Sequence, residues 1–216
     1  MAALAMFPLG SVLFPAMPLP LRVFEDRYLQ LLARVLQDSP PQFGVVLIER
    51  GQEVGGGDVR FDIGTVARIA DLDVRDTQVG VVALGGERFV VERWDEDDPY
   101  PVADVRMLPA LTWDAADESL PGLLAGTEHT VRSGMAAASE YVELAWSPSL
   151  ELAESPVDAA WQLAAIAPLG PLDQLELLRA ETVEQLLRRT AELTTASVDS
   201  IRFSWAEQAD DPEEEL

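Results

Sequence analysis

The stretch FPLGSVLFPAMPLPLRVFEDRY, from Phe7 to Tyr28, joins a proline-punctuated apolar run to a charged helix start with almost no polar spacing. Proline fixes φ and has no N–H, so Pro8, Pro15, Pro18 and Pro20 forbid one continuous helix here. Short strands separated by sharp corners, feeding an amphipathic helix, fit the pattern. The helix follows at once. Phe24, Tyr28, Leu31, Leu32, Val35 and Leu36 fall on one face at 3.6-residue spacing, and Pro40-Pro41 stops it.

Downstream the period changes to two. Phe43 to Ile48 reads as a buried strand, and Val59, Phe61 and Ile63 alternate with polar residues. Gly64-Thr65 shifts the parity, which predicts a bulge or bend before a strand from Val66 to Val74. Gly55-Gly56-Gly57 marks a turn. Gln78 to Leu84 and Arg88 to Trp94 read as two strands separated by Gly85-Gly86, and Tyr100 to Leu108 as the last strand. Several short strands at close spacing predict a small barrel rather than a parallel sheet.

Near Thr112 the pattern becomes helical. A helix is expected within Leu120 to Trp146, weakened by Gly126 and Gly134. Ser155-Pro156-Val157-Asp158 carries an N-cap, a first-turn proline and an early carboxylate, so a helix runs from there to about Ala167. Another spans about Leu172 to Ala180. Thr182 and Gln185 have capping-box spacing for a last helix with Val183, Leu186, Leu187 and Leu193 on its apolar face. The expected organisation is a β-rich unit over 1–112, a helical bundle over 113–207 and a disordered acidic tail over 208–216.

Composition bounds the function. The chain has 216 residues, no cysteine, 38 acidic residues and 15 basic ones, all arginine. Without cysteine there are no disulfides or thiolate sites. Without lysine there is no phosphate-binding loop ending in Gly-Lys, no Schiff base and no Ser-Lys dyad. The formal charge of −23 opposes phosphate backbones and anionic lipid surfaces. The N-terminal apolar run has no basic region before it and is broken by proline, so neither a signal peptide nor a membrane span is expected, and a cytoplasmic location is.

Several residues resemble a known family in order. Met6 to Leu9, Leu13-Phe14-Pro15 and Pro18-Leu19-Pro20-Leu21 resemble the opening strands and proline corner of the Lon substrate-binding (N-terminal) domain. Phe24-Glu25-Asp26-Arg27-Tyr28 is similar to the first-helix start of free-standing Lon-domain proteins. Ile63 to Ile69, Gly86-Glu87-Arg88-Phe89, Tyr100-Pro101-Val102-Ala103 and Ala165 to Leu187 continue the match. The resemblance implies an α+β fold: a PUA-like β pseudo-barrel with one main helix, then a C-terminal helical bundle. It also implies recognition of unfolded or specific client proteins, with an ATP-dependent protease as associated partner. Protease activity is not implied, because the Ser-Lys chemistry of Lon has no lysine here.

The chain's own chemistry is sparse. His129 is the only histidine, so a transition-metal site would need carboxylates alone beside it. No serine stands in a Gly-x-Ser-x-Gly elbow. Asp95-Glu96-Asp97-Asp98 lacks the glycine and distal glutamate of a calcium loop and reads as a solvated loop. No cofactor or metal is expected. The candidate peptide-binding residues are Phe14, Pro15, Met17, Glu25, Arg27, Tyr28, Arg88 and Phe89. Core and ion-pair roles compete with binding at each, because an arginine stem packs readily on aromatics. Phe14 and Met17 flank the Pro15 corner and are expected to be partly exposed. The leading reading is a non-catalytic protein-binding module acting as adaptor or regulator, with a groove between barrel and bundle. The alternatives are a small-ligand or RNA-binding PUA-like module and an enzyme with paired carboxylates.

Overall fold

The computed structural model describes residues 2–50, 59–75 and 78–210. The Gly55-Gly56-Gly57 turn lies outside the described residues. Among those described, the chain forms β1 (Ala2–Leu9), β2 (Pro18–Val23), α1 (Asp26–Val35), β3 (Gln42–Arg50), β4 (Val59–Arg75), β5 (Gln78–Trp94), β6 (Val102–Met107), α2 (Leu120–Ala138), α3 (Pro156–Ile166), α4 (Pro171–Leu178) and α5 (Val183–Asp210). Two compact units divide it, Met1–Ala110 and Leu111–Leu216. The fold is α+β.

In the first unit the strands form one sheet in the order β2-β5-β4-β3-β1-β6, and β5 also pairs with β6. The pairing therefore closes on itself through β5, β4, β3, β1 and β6. Among the described residues only the β1–β3 pairing is parallel. Met6, Val46, Val66, Phe89, Ala103 and Val105 form a buried cluster drawn from these strands, with Leu4, Val91 and Trp94 against it. Closure lets inward-pointing residues of every second position meet in one core.

β5 is one strand of 17 residues, so the two strands expected on either side of Gly85-Gly86 are one. Its first half pairs with β2, from Val79 to Leu84, and its second half with β6, from Phe89 to Trp94. Gly85 serves a close approach rather than a turn. A Cβ there would lie 2.1 Å from the Phe14 carbonyl oxygen. β4 is likewise continuous, with register shifts against β5 between Thr65 and Ala67 and between Ile69 and Asp71.

The loop after β1 is anchored on this glycine. Pro15 and Ala16 occupy the centre of a turn in which Met17 N–H donates to Phe14 O at 3.3 Å. Ala16 has φ 61°, the positive value a type II turn demands at its third position. Ala16 N–H donates to Gly85 O and Gly85 N–H to Met17 O, both at 2.9 Å. The Thr65 hydroxyl donates to Leu13 O at 2.6 Å from a buried position.

Helix α1 buries Tyr28, Leu31, Leu32 and Val35. Tyr28 stacks on Phe7 of β1, ring centroids 4.1 Å apart. Phe24 and Leu36, expected on the same face, are exposed because both lie just outside the helix.

In the second unit α5 packs against α2, α3 and α4. The Ser155 cap forms, its Oγ accepting from Asp158 N–H at 3.4 Å. Thr182 Oγ1 accepts from Gln185 N–H at 3.1 Å, and the Gln185 side chain accepts from Glu181 N–H at 2.9 Å. Helix α2 stops at Ala138, short of the expected range. The segment beyond it is held instead by Arg132, whose guanidinium donates to Pro148 O and, at 3.0 Å, to Leu150 O. Residues 208–210 belong to α5, where a disordered tail was expected. Residues 211–216 lie outside the described residues.

Candidate functional site

The first halves of the pairings around β5 build a three-stranded arm: β2, the 78–84 part of β5, and the 68–75 part of β4. Directly opposed residues of antiparallel strands share a face. One face of the arm is apolar, with Leu19, Ala83 and Ile69 in one row, Leu21, Val81 and Leu72 in the next, and Val23, Val79 and Val74 in the third. Val23, Val81 and Ala83 on this face are buried, while Val74 at its end is exposed.

The opposite face mixes apolar and charged groups. Its rows are Pro18, Leu84 and Arg68, then Pro20, Val82 and Asp71, then Arg22, Gly80 and Asp73. Gly80 leaves a gap between Arg22 on one rim and Asp73 on the other. A groove of about 540 Å³ follows, lined by residues of all three strands, among them Pro20, Arg22, Asp71, Asp73, Gly80 and Val82. Val82 in the groove and Leu84 in the next row are exposed.

The free edge of β2 carries no other strand among the described residues. Proline has no N–H to give β5, so residues 19, 21 and 23 face β5 and residues 18 and 20 face outward. The outer edge therefore lacks donors at Pro18 and Pro20 and is guarded against strand addition.

The residues singled out from the sequence lie elsewhere. Phe14 is 1% exposed and Met17 3% exposed, so the expected exposure of both is corrected. The Pro15-Ala16 turn folds them inward onto Gly85. Tyr28, Arg88 and Phe89 are also buried, and burial leaves these five side chains no surface to offer a partner. Pro15 is half-buried. Glu25 and Arg27 form an ion pair at 3.1 Å, and the Arg27 guanidinium lies 4.4 Å from the Tyr28 ring centre. Arg88 donates to Pro109 O at 3.1 Å, and burial lowers its pKa from the ordinary arginine value. Its neighbour Glu87, on the other side of the strand, pairs with Arg68 at 3.2 Å.

Asp71, Asp73, Gly80 and Val82 escaped sequence reasoning. The available signal was the Asp-x-Asp alternation in a strand, which places both carboxylates on one face. Across the acidic loop, Asp97 binds Arg60 through both carboxylate oxygens while Arg60 lies 4.7 Å over the Trp94 ring, and Asp95 pairs with Arg93 at 2.7 Å. His129 is exposed on α2. Among the described residues no group of three or more His, Cys, Asp or Glu could hold a metal ion. None of the described helices is long and apolar enough to cross a membrane.

Comparison with known proteins agrees along most of the chain. Residues 3–196 match the family model of the ATP-dependent protease La (LON) substrate-binding domain. The chain is 30% identical over 116 residues to the Lon protease of Cytophaga hutchinsonii, a match covering 52% of this chain and 14% of that protease. It is 33% identical over 107 residues to the Lon protease of Magnetococcus marinus, covering 47% of this chain and 13% of that one. Among solved structures, a Lon N-terminal domain protein from Xanthomonas campestris aligns at TM-score 0.65 and 27% identity, over 88% of this chain and 96% of that one. The N-terminal domain of Lon protease from Mycobacterium avium complex shares the fold at TM-score 0.61 and 16% identity, over 90% of this chain and 98% of that one. The chain belongs to the Lon substrate-binding domain family.

Proposed function

We propose that this chain is a non-catalytic recognition module that binds extended apolar segments of unfolded or client proteins on the mixed face of its β2–β5–β4 arm. The first unit is read as a PUA-like pseudo-barrel and the second as a helical bundle. The groove over Gly80 is the observation that carries the reading: Pro20 and Val82 supply apolar contact, and Arg22 and Asp73 stand across the gap. A concave surface with apolar lining and a few convergent polar groups is the usual form of a binding site. The associated partner is an ATP-dependent protease, the role that of adaptor or regulator, and the compartment the cytoplasm. Family membership and the charge of −23, which disfavours nucleic acid, support this over the RNA-binding alternative.

Titration of the chain with a reduced, alkylated unfolded protein, followed by fluorescence anisotropy, tests the reading. Saturable binding with Kd on the order of 10 µM is expected, about −7 kcal/mol. A flat titration through that range would reject it.

A further inference from the structure

We infer that Arg88 is a latch that fixes the path by which the chain leaves the first unit, its backbone and its guanidinium each holding one of the residues that follow β6. The latch does not depend on what the groove binds.

Strand β6 ends at Met107, which opposes Phe89. Pro109 is the last residue but one of the first unit. Proline has no N–H, so it cannot donate to continue the ladder with β5. Arg88 takes over at this point. Its backbone carbonyl accepts from Leu108 N–H at 2.8 Å, and its guanidinium donates to Pro109 O at 3.1 Å. Two successive residues of the departing chain are thus tied to one residue of β5.

The side chain reaches this place because β5 carries an extra residue. Thr65 opposes Arg88 and Ala67 opposes Gly85, with the register shifting between the two pairs. In a regular strand Gly85 and Arg88 would point to opposite faces. The bulge turns both to one face. That face is covered: Thr65 and Ala67 are fully buried, the Thr65 hydroxyl is bonded to Leu13 O, and Gly85 lies against the Phe14 carbonyl. Arg88 is only 5% exposed there. Taking a guanidinium out of water is costly, and the same burial lowers its pKa. An apolar side chain would fill the space without that cost, so the hydrogen bonds are what the charged group adds. Beyond Ala110 the connection to α2 is stiffened by its own aspartates. Asp114 Oδ1 accepts from Ala116 N–H and Asp117 Oδ1 from Ser119 N–H, both at 2.9 Å. Those bonds are local to the connection, and Arg88 sets where it starts.

The test is amide hydrogen exchange of the full chain, followed residue by residue by NMR. In wild type Leu108 N–H should exchange as slowly as the slowest amides of β4 and β5, because a latched segment opens only with the sheet. Arg88→Met keeps an apolar stem and removes the donors. It should speed exchange at Leu108 and at residues 110–113 by about tenfold to a hundredfold relative to the sheet amides of the same variant. Arg88→Lys, which keeps a charged donor, should restore part of the protection. Wild-type Leu108 exchanging more than about a hundredfold faster than the slowest sheet amides overturns the latch. So does an Arg88→Met variant in which Leu108 keeps its wild-type ratio to the sheet amides, whether exchange is unchanged or faster throughout, since Arg88 would then act by packing alone. Should Arg88→Met not fold, the wild-type ratio decides.

Discussion

Ala16 holds a left-handed backbone conformation where glycine or asparagine is usual. A Cβ in that region costs roughly 1–2 kcal/mol. Replacing it with glycine also frees the unfolded chain, at about 0.4–1 kcal/mol. Ala16→Gly is therefore expected to stabilise the protein by about 0.5–1 kcal/mol, read from urea unfolding. Gly85 has no such latitude. A methyl group 2.1 Å from the Phe14 carbonyl must displace the turn, and with it the Ala16 and Met17 hydrogen bonds. Gly85→Ala should cost about 3 kcal/mol or more. A cost below about 1 kcal/mol would mean the turn is not seated on β5. Glycine's role here was not legible in sequence, where two adjacent glycines signal a turn; the partner backbone lies 71 residues away in the chain.

Among the elements, the helices were the more legible because their signals are local. The Ser155 cap, the Thr182–Gln185 spacing and the 3.6-residue stripe of α5 all appear where expected. Leu186 on that stripe is fully buried, so Leu186→Ala should destabilise by about 2–4 kcal/mol in chemical denaturation. A change under about 0.5 kcal/mol would show that the site collapses around the smaller side chain. Gly134, which looks like a defect in α2 by propensity, lies where a Cβ would be 2.6 Å from Thr194 Cγ2 of α5. The close approach of the two helices explains it. Strand boundaries were less legible: β5 keeps its alternation on either side of Gly85-Gly86, and only its partners β2 and β6 show that it is one strand.

At the scale of the whole molecule, charge dominates. If every arginine paired one-to-one with a carboxylate, 23 carboxylates would still lack a cation. Their mutual repulsion opposes the compact state and is screened by salt. Raising sodium chloride to about 0.5 M should lift the melting temperature by about 2–4 °C, measured by circular dichroism, the shift that about 1 kcal/mol produces in a chain of this size. A fall would mean that the arginine ion pairs outweigh the repulsion.

Composition, periodicity and capping are properties of neighbouring residues, and they determined the change from strand to helix along the chain, the helix starts and the excluded lysine and cysteine chemistries, while the family likeness, and the α+β fold it implies, came from short motifs in order. Exposure is not such a property. Phe14 and Met17 turn inward because a distant glycine admits the backbone of their turn, while Asp71, Asp73, Arg22 and Gly80 become neighbours only when β2 and β4 dock on either side of β5. Which side chains meet solvent together is set by strand register across the sheet, and register is decided by tertiary pairing.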